Sequence, residues 1–333
     1  MPSGYGQAIR RTFMFETKVT KMLGIKYPII GGCMMHLSKA DFVAAISSAG
    51  GLGTMASAMY QTREDFASAI DRIRELTDQP FAVNLNFFPA MRAIENDDYL
   101  EVMIDKGVRV VETSGHSAPE DLCARFKDAG MTWIHKCVAP RYALKVQDMG
   151  ADIVTVVGYE NGGATGKLDI GTLVLVPRVV EAVNIPVIGG GGVADGRSLL
   201  AVLSMGASAA IMGTRLLLTR ECPIHDNVKQ ALLSATETDT TLIMRSIGGT
   251  HRAWNNGAAR KCLEVESAGC SLEEILGVVS GEKARKMYEI GEVDAGVLSC
   301  GQSVGLAHDI PPVAELFERI MTEAEAQYKS LGS

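Results

Sequence analysis

Four consecutive glycines, Gly189 to Gly192, follow a short apolar run and precede a helix-like stretch that opens near Gly196. A phosphate group needs backbone N–H donors with no side chain in the way, and a helix N-terminus adds a favourable field. Gly213 and Thr214 follow the next apolar run and supply a second half for such a cradle. A flexible glycine turn is the alternative for either segment alone. The two together favour phosphate. The run is not a GxGxxG motif opening a dinucleotide unit, so by itself it does not imply NAD.

Other residues with chemical capacity also sit where an apolar run ends. The chain leaves its first run through Gly31 and Gly32, then displays Cys33, Met34 and His36 before a helix for which Ser38 is the expected N-cap. Core packing is the alternative for the methionine; a hydrogen-bonded structural role is the alternative for His36. Asn84 and Asn86 end the third run and offer paired donors and acceptors to a planar ring, with loop capping as the alternative. Lys136 ends the fifth, where a cation could stabilise a negative ring or phosphate, a solvated or salt-bridged lysine being the alternative. His116 and His135 also lie near run ends, and each alone reads more readily as a satisfied structural residue. The Gly158–Gly166 loop after the sixth run is glycine-rich and includes Gly163. Glu160 is its one titratable carboxylate, an anchor as readily as a base. The six histidines are scattered without HxxxH or HxH spacing, and there is no GxSxG elbow. Metalloenzyme and serine-hydrolase chemistry are therefore weakly supported.

The elements that must position these residues repeat. Strand-like runs occur at 27–31, 53–56, 81–85, 108–112, 132–136, 153–157, 186–189 and 209–212. They are rich in Val and Ile and alternate with stretches of helical periodicity, which predicts parallel strands covered by helices. Eight units predict an α/β fold, a (β/α)8 TIM-like barrel, with active-site residues at the C-terminal ends of the strands. From 221 to 291 the chain reads as helices without strands. The predicted division is a barrel over 15–220, a smaller helical domain inserted after strand eight over 221–291, and a segment over 292–330 that returns to the barrel. An amphipathic helix over 312–328 is expected to close it.

Composition limits the partners. A net charge of −7 without a long basic run argues against nucleic acid. The longest charge-free apolar stretch, 198–214, is interrupted by Ser204, Gly206 and Ser208, and reads as a buried helix and strand rather than a membrane span. Seven cysteines, an odd number without a CxxC pair, read as free thiols in a reducing compartment. No secretory leader is visible in the first fifteen residues. A cytoplasmic location and a small-molecule substrate are the expectations. Barrels commonly form homo-oligomers, but no segment marks an interface.

Tyr27-Pro-Ile-Ile with Met34, Ala49–Gly53, Phe81–Asn84, the Gly158–Gly166 loop, Ile188–Arg197, Gly206-Ala207 with Gly213–Arg215, Gly291–Gly296 and Gly301–Gly305 together resemble the nitronate monooxygenase family. That family also includes FMN-dependent enoyl-thioester reductases and NAD(P)H:quinone reductases. The resemblance runs from about Phe15 to Tyr328. It implies a barrel with a smaller helical domain and one non-covalent FMN at the barrel mouth, with NAD(P)H as an optional co-substrate. It places the FMN phosphate on Gly190, Gly191, Gly192, Gly213 and Thr214. It lines the flavin with Gly32, Cys33, Met34, Asn84, Lys136 and the Gly163 loop, and brings Gln302 and Gly305 to it from the C-terminal segment. Relatives usually carry a histidine in the loop after strand six, and here that position is Ala164. A methyl group neither takes a proton nor donates a hydrogen bond. His36 stands where relatives commonly have an aromatic residue, so it is expected to replace the missing base in part. The implied activity is FMN-dependent oxidation of a small organic substrate with O2 or another acceptor. NAD(P)H-dependent reduction of an enoyl thioester or quinone is the alternative, and a flavin-binding protein with little catalysis the third.

Overall fold

Apolar β-branched residues dominate the eight runs because each strand is buried on both faces, by the barrel interior and by helices. The computed structural model describes residues 15–88, 95–115, 118–269 and 271–332. His116, Cys270 and the first twelve residues lie outside them. The barrel strands are β1 (Ile29–Gly31), β2 (Gly53–Ala56), β3 (Phe81–Phe87), β4 (Val110–Gly115), β5 (Thr132–Cys137), β6 (Ile153–Val157), β8 (Val187–Gly190) and β9 (Ala209–Met212). β7 (Gly163–Ala164) lies in the loop after β6. The barrel strands pair in parallel in the order β1-β9-β8-β6-β5-β4-β3-β2, and the Ile30–Leu52 bridge joins β1 to β2. All eight predicted strands are present. β3 and β4 run past their expected ends and carry Asn86 and Ser114 further into the mouth.

The barrel interior is layered because alternate residues of each strand point inward. Ile30, Leu52, Ala82, Val110, Ile134, Ile153, Ile188 and Ala209 form an apolar layer, closed from below by Val19, Leu23 and Ile25 at the N-terminal helix Lys18–Leu23. Two residues further along the same strands come Thr54, Asn84, Glu112, Lys136, Thr155, Gly190 and Ile211. The interior therefore changes from hydrocarbon to mostly polar one layer below the mouth.

The segment predicted to be purely helical differs in one respect. Besides helices such as Asp226–Leu233, Gly257–Ser267 and Gly281–Ile290, it carries β10 (Thr240–Ile243) and β11 (His251–Trp254). These two strands are antiparallel, and β11 also pairs with β7. Short strands bounded by Thr and Gly have no strong period, and their partner lies far away in the chain. Among the described residues, no helix is long and apolar enough to cross a membrane.

The C-terminal helix Val313–Leu331 takes the eighth helix position, packing on Gly196–Ser204 and Ala40–Ser48. It buries Val313, Leu316, Phe317, Ile320, Met321 and Ala324. Contact with Gly196–Ser204 requires glycine at its start. A Cβ on Gly196 would lie 2.3 Å from the backbone nitrogen of Ala324.

Candidate active site at the barrel mouth

The polar layer is built around a carboxylate. Asn84 Nδ2 donates to Glu112 Oε1 at 2.9 Å and to Ser114 Oγ at 3.2 Å. Lys136 Nζ lies 3.4 Å from the same Glu112 oxygen. Glu112 is 1% exposed and Lys136 22%, so the ammonium faces the mouth and the carboxylate sits beneath it. Sequence reasoning missed Glu112. The signal was there: it is an acidic residue inside a valine run, in step with the inward positions of β4.

Three oxygens of this layer, Thr54 Oγ1, Glu112 Oε2 and Thr155 Oγ1, are buried without a hydrogen-bond partner in the protein. Each such group costs about 1–3 kcal/mol unless something satisfies it. The layer therefore suits a ligand with a polar edge. Cys33 lies close enough to feel both charges. Burial pushes its thiol up to about 12, reinforced by Glu112 and opposed by Lys136, so it is a neutral thiol at pH 7. All six described cysteines are free.

The glycine turns stand on the opposite wall. Gly191 and Gly192 have φ of 96° and 80°, a region that L side chains rarely adopt. A Cβ on Gly192 would meet nothing closer than Glu160 Cβ at 3.8 Å, so it would project into the open mouth. A Cβ on Gly190 would lie 2.3 Å from Ile211 Cγ2. Gly213 precedes the short helix Thr214–Leu217, and a Cβ there would lie 4.0 Å from Met34 Sδ. Gly32 donates its N–H to Met212 O at 2.8 Å, which holds the Cys33–Met34 segment beside this turn.

Glu160 ties the loop after β6 to these turns. Its carboxylate accepts from the N–H of Thr172 at 3.1 Å, at the start of the helix Thr172–Ala182. The Thr172 hydroxyl sits 2.9 Å from both Glu160 Oε2 and the Gly191 carbonyl oxygen, and donates to one at a time. The backbone of Gln302 donates to Glu160 O, and Gly301 N–H donates to Thr214 Oγ1 at 2.8 Å. The anchor reading of Glu160 fits this geometry.

Of the expected residues, Gly305 packs on a neighbouring turn and His36 is placed away from the glycine turns. A Cβ on Gly305 would lie 2.6 Å from the backbone nitrogen of Glu237, so Gly305 packs against that turn. His36, with φ of 64°, directs its ring to the helix Gly281–Ile290, where Nε2 lies 2.9 Å from the position of a Cβ on Gly281. It lines a groove with Lys39, Tyr60, Arg72, Glu282 and Arg285, on the flank of the barrel. Burial is the main cause that lowers its pKa. Met34, not His36, faces the Gly213 turn. His135 is structural: its Nδ1 lies 2.7 Å from Thr113 Oγ1, which also accepts from Trp133 Nε1, and burial pushes it down to about 4. Among the described residues no His, Cys, Asp and Glu group is arranged to hold a metal.

Parallel strands, glycine turns and a polar inner layer define a ligand-binding barrel enzyme. The chain belongs to the nitronate monooxygenase family, whose profile matches residues 16–323. It is thus an oxidoreductase of a flavin-dependent family. It is 32% identical to the (3aS,4S,5R,7aS)-5-hydroxy-7a-methyl-1-oxo-octahydro-1H-indene-4-carboxyl-CoA dehydrogenase of Rhodococcus jostii, over 96% of this chain and 98% of that one. Among solved structures it is similar to FabK from Thermotoga maritima, with a TM-score of 0.88 and 32% identity over 95% of this chain and 98% of that one. The nitroalkane oxidase of Streptomyces ansochromogenes gives a TM-score of 0.81 and 27% identity, over 94% of this chain and 99% of that one.

Proposed function

We propose that this protein is an FMN-dependent oxidoreductase that transfers electrons to or from an acyl thioester. The observation that carries the flavin reading is the inner layer, with Lys136 above a buried Glu112 and three unpartnered oxygens, facing glycine turns a side chain would obstruct. The thioester reading is supported by likeness, across nearly the whole chain, to a carboxyl-CoA dehydrogenase.

When bound, FMN supplies the two-electron redox chemistry. Gly190, Gly191, Gly192, Gly213 and Thr214 would hold its phosphate through backbone donors and the Thr214 hydroxyl. Gly32, Cys33, Met34, Asn84 and the Gly163 loop would line the ring, with Gln302 approaching from the C-terminal segment. Lys136 would stabilise negative charge that develops there, and Glu112 and Asn84 hold that cation and its surroundings in place. A neutral Cys33 avoids competing thiolate chemistry. The unpaired thiols suit a cytoplasmic enzyme.

The test is anaerobic spectroscopy of the FMN-loaded protein. Bands at about 370 and 450 nm are expected for bound oxidised flavin. Bleaching by a saturated acyl-CoA, or bleaching by NADH or NADPH reversed by an enoyl-CoA, supports the thioester reading and selects its direction. Oxidation of a nitronate is the second reading, favoured by the nitroalkane oxidase likeness. A flavin that a nitronate bleaches while acyl-CoA and enoyl-CoA leave it unmoved would replace the first reading with the second.

A further inference from the structure

Ala164 leaves the loop after β6 without an imidazole, but the small sheet brings one to the same place. β7 pairs antiparallel with β11 in the register Ala164–His251 and Gly163–Arg252. Residues directly opposite in an antiparallel pair project from the same face, with Cβ atoms about 4.5–5.5 Å apart. His251 therefore stands beside Ala164, on another strand. Its Cε1 lies 3.9 Å from where a Cβ on Gly163 would be. Its Nε2 lies 2.8 Å from Ser299 Oγ. Ser299 is itself fixed by a bridge to Ala253, and two residues on Gly301 donates to Thr214 at the phosphate turn. The segment that touches the Thr214 turn therefore also holds the imidazole. Arg252 has a separate role: its guanidinium is buried against Tyr159, with Nε donating to Tyr159 O at 3.0 Å.

We propose that His251 is the substrate-facing imidazole of this active site and hydrogen-bonds the carbonyl oxygen of the acyl thioester. Ser299 is its positioning residue. The substrate class rests on the function proposed above; the placement of the imidazole does not. Burial pushes His251 down to about 4 and no charged group contributes, so the ring is neutral at pH 7. A neutral imidazole suits this task, because it donates to a carbonyl oxygen that gains negative charge and brings no net charge to the site. The proposed tautomer carries the ring proton on Nδ1 for the substrate oxygen, with Nε2 accepting from the Ser299 hydroxyl.

The test uses the FMN-loaded full chain with crotonyl-CoA as probe. His251→Ala is expected to keep the flavin spectrum, to slow electron transfer about 100-fold and to weaken the perturbation of the flavin band by crotonyl-CoA. His251→Gln, which still donates, retains part of both. The deciding variant is Ala164→His combined with His251→Ala, which returns an imidazole to the adjacent Cβ and is expected to recover at least about tenfold in rate. A merely structural histidine would not be rescued in this way. Nitrogen NMR of the wild-type holoprotein gives an independent readout: the ring signals absent from His251→Gln should shift when crotonyl-CoA is added. Unmoved signals, or a His251→Ala protein with wild-type rate and binding, would overturn the proposal. A wild-type flavin that responds only to a nitronate would reject the thioester class instead, and the same variants read with the nitronate would then decide His251.

Discussion

Lys136 and Glu112 show how a single contact governs this mouth. Lys136 was legible as a cation at a strand end. Its buried carboxylate partner was not, because Glu112 becomes meaningful only when β3, β4 and β5 lie side by side. Replacing Lys136 by Met leaves Glu112 in the barrel without its cation. The expected cost is about 1–3 kcal/mol of stability in the FMN-free protein, less than for a fully buried pair because Lys136 touches solvent. Weaker FMN binding should accompany it. Adding Glu112→Gln should restore much of the stability but not the FMN affinity. Urea unfolding and flavin titration measure the two effects separately, and equal stability of Lys136→Met and wild type would contradict the pairing. His36 teaches the converse. Its type and neighbourhood in the chain suggested chemistry, yet its left-handed backbone turns the ring toward the helix Gly281–Ile290.

At the scale of elements, the loop after β6 was recognisable from its glycines, and its anchoring depends on Glu160. That carboxylate meets the N-terminal N–H of Thr172–Ala182, where a helix favours negative charge. The same residue's carbonyl receives Gln302. Glu160→Ala is therefore expected to loosen the loop, the Gly191 turn and the C-terminal segment together. The dissociation constant for FMN should rise by about ten- to a hundredfold, for a stability loss of only about 1–2 kcal/mol. Equilibrium dialysis against FMN checks this. An unchanged constant would mean that the Gly191 turn stands without its brace. β7, β10 and β11 form the element that sequence patterning did not show. A two-residue strand has no measurable period, so only its partners define it.

For the whole molecule, His135 links the outer core to pH. It is buried between the barrel and its helices, and its pKa is pushed down to about 4 from 6.5. In the unfolded chain the ring binds its proton near the ordinary value, so between these two pH values the unfolded state holds more protons. The contribution of this residue is complete above about pH 6.5 and is lost as pH falls to about 4, roughly 3 kcal/mol in all. His251 acts in the same direction, reduced by its partial exposure. His135→Leu should lose less stability than wild type between pH 7 and pH 4.5, by about 2 kcal/mol. Parallel urea unfolding curves at the two pH values measure the difference; the same loss in both proteins would contradict a neutral buried ring.

The alternation of strand and helix, the eight barrel strands, the family, and the turns at Gly191 and Gly192 are all readable from the order of residues. These are local matters: side-chain period, backbone sterics at positive φ, and the spacing of one βα unit. What faces what emerged with the folded barrel. It set Glu112 beneath Lys136, turned His36 to other contacts, and aligned His251 with Ala164. Those outcomes depend on register between segments far apart in the chain. Such register is chosen by the packing of the closed barrel and its appended sheet, which no local pattern encodes.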